Sequence, residues 1–457
     1  MAKPTRPTKP SANTGLSSGY GASSNERTYG GRVKNSFFGF KTGIAMLIGG
    51  TIALWANEGR TAKTSSTLDK VEAIVEEMPD PQTVDPRFNG KVVHTCGFAT
   101  TADTISDNFI GAKENAIAIF TDVEYYQWEE EEVTKTRTNS DGKKEEYKEY
   151  HYRKNWVSDP VNSSNFEDRR YRGKNFTLLQ ADETEIWAEN VTFEAYKLPK
   201  GLIKEMTSRH DLMLNGKIEP RRLREIDNLC IRSYEGEEAL HDDFLSQRSD
   251  SLNKAASDTL DGQDREWPGI DLRYVQVRGN MVYLGLNSQE PHVGDVRIYY
   301  QKIAPDNVSI IAKVEGNTFQ EYYNPYDKQT YWKLTNGLHE SIEMIDDSRR
   351  DNSVYAWTAR ILGILLIVGG LKCAFSIIPA LFSFIPMLGK VVEMGVGVVC
   401  WVVGVVWSIL VIGVAWLFYR PVVGVILLLI VAGFIFFMRR KPKPAEAEAD
   451  DGSYSNE

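Results

Sequence analysis

Histidine and cysteine are scarce in this chain of 457 residues, at six and four, and are scattered along it. With no C-x-x-C and no Cys/His cluster, a structural zinc site is excluded as a working reading, and no cofactor is expected. G-x-x-x-x-G-K-[ST], H-E-x-x-H and the dinucleotide-binding glycine fingerprint are also missing, which removes the common phosphate-transfer, zinc-protease and hydride-transfer machineries. The apolar stretches lack charge at their centres: Lys41, Arg360, Lys372, Glu393 and Arg420 all stand near an end. Pumps and secondary transporters place ionisable groups at mid-membrane depth, so those classes are disfavoured. Positive charge is short as well. The chain carries a net −9, and with the tails and apolar blocks set aside about −17 falls on the centre, which argues against nucleic acid as a partner.

The remaining catalytic signals are weak. Gly15-Leu16-Ser17-Ser18-Gly19 fits G-x-S-x-G, but that motif works only on a strand–turn–helix elbow, and here it stands in a Ser/Gly/Thr-rich tail. His94, His151, His210, His241, His292 and His339 share no spacing and are expected to be ordinary surface or hydrogen-bonded side chains. His241-Asp242-Asp243 is read as a solvated helix face. Cys96 and Cys230 are either one disulfide, if their domain lies outside the cytoplasm, or two buried thiols. No catalytic, metal or cofactor residue is assigned, and the chain is read as a non-enzyme.

What the chain does have is a sharp partition of polarity. Residues 37–56 and 354–438 are apolar, and residues 57–353 are polar and charged. A helix needs about 20 apolar residues to cross the hydrocarbon core. The expected order is a disordered cytoplasmic tail (1–35), a first transmembrane helix (37–56) acting as a retained signal anchor, and a β-rich extracytoplasmic domain (57–353). Then follow a second transmembrane helix (354–371), an interfacial or re-entrant segment (372–393) broken by Pro379 and Pro386, a third helix (394–417), a fourth (421–438) and a disordered cytoplasmic tail (439–457). The fold class is therefore an α-helical membrane protein, one span plus three, carrying a β-rich α+β domain. Six basic residues precede the first span, and Arg439, Arg440, Lys441 and Lys443 follow the last. The positive-inside rule puts both tails in the cytoplasm and the central domain in the lumen or periplasm.

Within the central domain, residues 92–98, 116–128, 147–157, 186–196, 274–286, 295–302 and 308–314 are rich in strand formers. Residues 123–133 and 146–157 flank Asn139-Ser140-Asp141-Gly142, which predicts a long hairpin with a polar tip. Residues 202–209 and 219–256 have helical spacing. Four adjacent carboxylates, Glu129 to Glu132, belong to two faces of a strand and suit a solvated hairpin better than a metal site. Asn162, Asn175, Asn190 and Asn307 head glycosylation sequons, which matter only in a eukaryotic lumen.

The membrane segments carry more specific signals. Cys400, Gly404 and Ser408 recur at four-residue steps, and Gly39 and Gly43 do likewise, giving faces on which helix backbones can approach within the chain or against another copy. Trp416-Leu417-Phe418-Tyr419-Arg420-Pro421 reads as a tight reversal between two spans at headgroup level.

Asn57-Glu58-Gly59-Arg60, Val123-Glu124-Tyr125-Tyr126-Gln127-Trp128, the stretch from Tyr152 to Trp156, Ser164-Asn165-Phe166, Gly294-Asp295-Val296-Arg297 and the Trp416–Pro421 block, in that order, resemble the transmembrane protein 43 (LUMA) family. The long N-terminal tail and the acidic C-terminal tail depart from it. The resemblance implies four spans with a luminal domain, and residence in the endoplasmic reticulum and inner nuclear membrane in animals, with lamin and emerin as partners there. It implies the inner membrane and a periplasmic domain in prokaryotes. It supplies no catalytic residues, and it implies a role in organising membrane protein complexes. The leading expectation is a self-associating scaffold in the lipid bilayer that holds other membrane proteins. An extracytoplasmic ligand or misfolded-protein sensor comes second, and an envelope hydrolase third.

Overall fold

A computed structural model of the chain describes residues 17–19, 29–138, 144–238, 272–376 and 386–420, with position 378 and scattered positions from 422 to 433. The chain divides into two units, one built on Lys70–Asp347 with the Met1–Glu26 segment, the other on Arg27–Asp69 with Ser348–Glu457.

Among the described residues the first unit holds two large sheets, formed from β1 (Val92–Thr101), β2 (Ala118–Thr138), β3 (Lys144–Val157), β4 (Val296–Ile303), β5 (Asp306–Glu315) and shorter strands, and two small two-stranded ones. β2 and β3 form the predicted hairpin, antiparallel from Tyr125↔Val157 out to Thr138↔Lys144. Its tip, 139–143, lies outside the described residues. The inner half of β2 pairs instead with β4, from Val296↔Tyr125 to Ile303↔Ala118. The sheet continues through Met281–Leu284 and Val275–Arg278. Period-two alternation explains β4: Val296, Ile298 and Tyr300 are buried, while Arg297 and Tyr299 take the other face.

In the second sheet β1 pairs with β5 over eight residues, from Asp306↔Ala99 to Lys313↔Val92. From β5 the pairing passes through Thr318–Gln320, Tyr196–Lys197 and Val191–Phe193 and returns to β1, so these strands close a ring. Lys333–Asn336 on β5 and Glu76–Glu77 on β1 stay outside the ring as the outer strands. Phe193, Tyr196 and Phe319 are all buried, with ring centroids 6.0 and 5.2 Å from Phe319. Each such side chain contributes roughly 1.5–3 kcal/mol by leaving water.

Helix α2 (Pro220–Glu238) starts on proline, whose missing N–H costs nothing in a first turn. Leu223, Ile226, Cys230 and Tyr234 form its buried stripe. Asp227 accepts the backbone N–H groups of Tyr274 and Val275 at 2.7 and 3.2 Å, tethering the helix to the first sheet. The rest of the helix expected to 256 lies outside the described residues.

Two expectations for this unit need correction. Residues 202–209 are not a helix; only Lys200–Ile203 makes one turn. Leu202, Ile203 and Met206 are buried at the expected spacing, but the N–H groups of Thr207 and Ser208 go to Asn336 Oδ1, so the helical ladder stops. The N-terminal tail, expected to be without structure, contains a strand at Ser17–Gly19, antiparallel to Tyr150–Tyr152 of β3, which would otherwise present an open edge there. Cys96 and Cys230 are both free thiols rather than one disulfide, but only Cys230 is buried and Cys96 is partly exposed, so the expected pair of buried thiols is met by one of the two.

The second unit contains helix segments of α1 (Tyr29–Ile74), α3 (Ser341–Phe375) and α4 (Pro386–Tyr419). Among the described residues three stretches, Gly39–Ile74, Ser341–Phe375 and Met394–Tyr419, are long and apolar enough to cross a membrane. α1 continues well past the expected end at 56 because Leu54, Glu58, Thr61 and Leu68 keep one buried face at helical spacing. Within the expected re-entrant stretch 372–393, residues from Pro386 onward belong to α4. Pro386 opens that helix rather than breaking it. The expected fourth span and C-terminal tail lie almost wholly outside the described residues.

Candidate functional site

The residue blocks singled out in the sequence collect into two polar networks, one in each unit. In the first, Arg297 and Glu124 face one another as register partners on β4 and β2. Arg297 Nε donates to Glu124 Oε2 at 2.6 Å, and its Nη2 lies 2.5 Å from the same oxygen. The guanidinium lies 4.1 Å from the Trp156 ring centre and 5.4 Å from that of Tyr299, so its faces meet aromatic clouds. Beside it, fully buried Asp295 accepts the Tyr283 hydroxyl at 2.7 Å and the His292 N–H at 2.7 Å. Gly294 adopts φ +101°, and the Phe176 ring fills the space where a Cβ would stand.

The same network clasps the loop 158–177. Gln127 Nε2 donates to Phe176 O and Thr177 Oγ1, both at 3.1 Å, and Gln127 Oε1 accepts the Val161 N–H at 2.5 Å. Trp128 and Asn175 exchange bonds: the Trp128 N–H donates to Asn175 Oδ1 at 2.8 Å, and Asn175 Nδ2 donates to Trp128 O at 2.9 Å. The Asn175 side chain is thereby committed to the fold, which removes it as a glycosylation acceptor in the folded domain. Tyr152 donates to Glu130 Oε2 at 2.5 Å, accepts the Asp168 N–H at 2.8 Å, and stacks on Tyr171 at 4.2 Å. Burial, reinforced by Glu130, holds its phenol well above the ordinary tyrosine range. Phe166 packs on Tyr152 at 5.9 Å, whereas Asn165 is exposed and outside the network.

The second network lies in the helix unit. Arg360 of α3 grips Glu58 of α1 with two parallel bonds, Nε to Oε1 at 2.6 Å and Nη2 to Oε2 at 2.7 Å. Trp416 of α4 donates its indole N–H to the same carboxylate at 2.8 Å. Three helices thus meet on one carboxylate that is 3 % exposed. Asn57 Nδ2 donates to Ala356 O at 3.2 Å, and Asn352 Nδ2 donates to Thr61 O at 3.1 Å, a reciprocal bridge between α1 and α3. Arg60 covers the Tyr355 ring at 4.1 Å. The Tyr419 ring lies where a Cβ on Gly59 would stand, so a larger residue there would push the ring aside. The Arg420 N–H closes the end of α4 on Trp416 O, and Pro421 lies outside the described residues.

The small-residue faces are used within the chain. Gly43 lies against the backbone of Gly370 and Ala374, Gly39 against Cys373 O and Ser376, and Gly404 against Val368. Cys400 and Ser408 are buried, and the Ser408 hydroxyl returns to Gly404 O at 2.7 Å.

The other sequence candidates lie outside these two networks. His151 lies 3.5 Å from Glu149, His210 3.2 Å from the Ser208 hydroxyl, and His339 3.0 Å from Glu343. His94 is buried against Glu77, and His241 lies outside the described residues. Glu129 and Glu131 meet Arg153, while Glu130 and Glu132 meet Tyr152 and Tyr150 on the opposite face. Among the described residues no three His, Cys, Asp or Glu are grouped to hold a metal ion. Sequence reasoning missed Arg360, Asn352, Asn175 and Tyr283 as network members. Glu58, an acid at the end of an apolar run, was the only available hint that a basic partner waited elsewhere.

Comparison with known proteins follows the same blocks. The family model described as "Transmembrane protein 43" matches residues 125–421, from within the first network to the last residue of the Trp416–Pro421 block. The chain belongs to the transmembrane protein 43 family. It is 25% identical to Transmembrane protein 43 of Mus musculus over 390 residues, covering 85% of this chain and 86% of the relative. Identity to the Homo sapiens protein is 24% over the same length. It is 21% to the Transmembrane protein 43 homolog of Drosophila melanogaster over 404 residues, 87% of this chain and 93% of the relative. No solved structure matches the chain. Membership makes it a membrane protein of the transmembrane protein 43 family, with transmembrane helices and a strand-rich domain.

Proposed function

We propose that this protein is a non-enzymatic, self-associating scaffold that organises other membrane proteins in the bilayer, with its β-rich domain in the lumen or periplasm. One observation carries the reading. Glu58 and Arg360 of the helix unit are spent on one another, with the Trp416 indole on the same carboxylate, while the outward faces of α3 and α4 present Ile361, Leu365, Val398, Val402 and Ile409, each about half or more exposed. Such a bundle is fixed inside and offers apolar faces to lipid and to neighbouring helices. In an animal nuclear envelope, lamin and emerin are the partners to look for first. Crosslinking of the tagged protein in its native membrane, followed by partner identification, tests this. A reproducible set of membrane proteins and a crosslinked homo-oligomer support it; recovery of the monomer alone sinks it.

The second reading, a sensor of extended polypeptide outside the cytoplasm, is favoured by the β3 edge. Ser17–Gly19 pairs with that edge as an added strand, the way an extended segment docks on a sheet edge. Reporters fused after Lys441 and inside residues 57–353 test the sidedness on which both readings depend, by landing on opposite sides of the membrane.

A further inference from the structure

A separate cluster sits where β1 begins, far in sequence from the Glu124–Arg297 pair. His94 and Cys96 are two residues apart on β1 and so share a face. Glu77 pairs with His94 from the parallel strand Glu76–Glu77, and Ser309 of β5 stands opposite Cys96 in register. The Cys96 thiol lies 3.8 Å from His94 Nε2, 3.2 Å from Ser309 Oγ and 3.5 Å from His339 O. On the far side of the imidazole, Nδ1 is 2.6 Å from Glu77 Oε2, and Glu77 is itself fixed by the Ser341 hydroxyl at 2.7 Å. Thiol, ring and orienting carboxylate therefore follow one another in the order found around activated nucleophiles.

The hydrogen-bond inventory adds to the geometry. Besides Cys96, the ring nitrogens meet Glu77 Oε2 and His339 O, and His339 O is 3.0 Å from Nε2. A carboxylate and a carbonyl only accept, so the bond from Nε2 to His339 O forms once Nε2 has taken a proton, which the Cys96 thiol can supply. The cationic ring so formed is the partner a thiolate at Cys96 requires. The titratable groups around His94 are Glu77, Cys96 and, through the 336–343 segment, His339 with Glu343. Cys96 is partly exposed, whereas Cys230 is buried and burial pushes its thiol up to about 12.

We propose that Cys96 is a reactive thiol which, with His94 and Glu77, exchanges with small external disulfides and carries a mixed disulfide. The Cys96 proton passes to His94 Nε2, and the thiolate attacks one sulfur of R–S–S–R. The Cys96–S–R bond forms as the S–S bond breaks, and the departing thiolate takes the proton back from Nε2. One disulfide is consumed and one is made, so no other oxidant enters.

The test uses the full chain in nanodiscs with glutathione disulfide as the probe, reading modification of each cysteine by peptide mass spectrometry. At neutral pH Cys96 should form the mixed disulfide at least about 10-fold faster than Cys230. His94→Gln should slow Cys96 by about 10-fold and change the shape of its pH–rate profile. Glu77→Gln should slow it less, in the same direction. Cys230 stays unreactive in a folded variant, so it reports folding in the same experiment, and Glu77→Gln decides if His94→Gln unfolds. Cys96 reacting no faster than Cys230, or at an unchanged rate in the folded variants, overturns the assignment.

Discussion

Both units bury an arginine against a carboxylate beside a tryptophan, yet the two pairs arise differently. Arg297 and Glu124 are register partners on neighbouring strands, so the backbone ladder of β2 and β4 places them before their side chains interact. Glu58 and Arg360 are 302 positions apart on different helices, and no backbone bond sets their distance. Their geometry is bidentate, and a third helix closes it through the Trp416 indole. Water drives the β domain together through apolar burial at its core. Helices in lipid have no such force between them and depend on close packing and interhelical hydrogen bonds. The sheet pair is thus a consequence of its fold, whereas the helix pair helps to cause its own.

The sharpest way to break this comparison is to remove one partner from each pair. Arg360→Ala leaves the Glu58 carboxylate buried without its cation, and breaking a buried pair costs about 3–5 kcal/mol. The variant should be strongly destabilised in detergent denaturation. Glu58→Leu combined with Arg360→Leu should recover much of the loss, because no uncompensated charge remains. Arg297→Ala should cost less, about 2 kcal/mol, since the strands on either side stay paired and the Arg297 side chain is 17% exposed. Equal losses for the two single variants would show that the helix pair matters no more to its unit than the sheet pair does to the domain.

Packing gives an intermediate effect. Gly404→Leu places a side chain where Val368 already sits, and overpacking of this kind costs about 1–3 kcal/mol. The thermal midpoint in nanodiscs should fall, with the tryptic map of the β domain unchanged. An unaltered midpoint would mean that α4 can move away from α3 at no cost.

How much of this was visible in the sequence depended on the range of the contact. Alternation at Tyr150, Tyr152 and Trp156 announced the hairpin because strand period is local. The small residues Gly39, Gly43 and Gly404 announced close helix approach for the same reason, though not which helix each would meet. The Glu58–Arg360 bond was invisible, since the reading placed each residue near an end of its own span and nothing local links them. His94 and Cys96 looked unremarkable because Glu77, Ser309 and His339 reach them only through strand pairing and loop closure. Residues 202–209 misled for the opposite reason: the local apolar spacing was real, but Asn336, more than a hundred residues later, captured the backbone.

The smallest expected effect is a pH dependence of the β domain, which the helix pair should not share. His339 Nδ1 lies 3.0 Å from Glu343 Oε2, and its Nε2 lies 3.0 Å from Asn336 O. The Glu343 carboxylate first, and the Asn336 carbonyl second, hold the His339 imidazole above its ordinary value of 6.5. A folded-state pKa above the unfolded one means that folding favours the protonated ring. The contribution is fully present below about pH 6.5 and is lost as pH rises through the raised folded value. Solvent screening keeps it small, because the His339 side chain is 30% exposed and that of Glu343 56%. Thermal midpoints of the full chain and of His339→Gln, measured between about pH 5 and pH 9, should differ most at the acid end and converge toward the alkaline end. A constant offset across that range would show that His339 acts through packing alone, and a gap widening with pH would reverse the assigned sign.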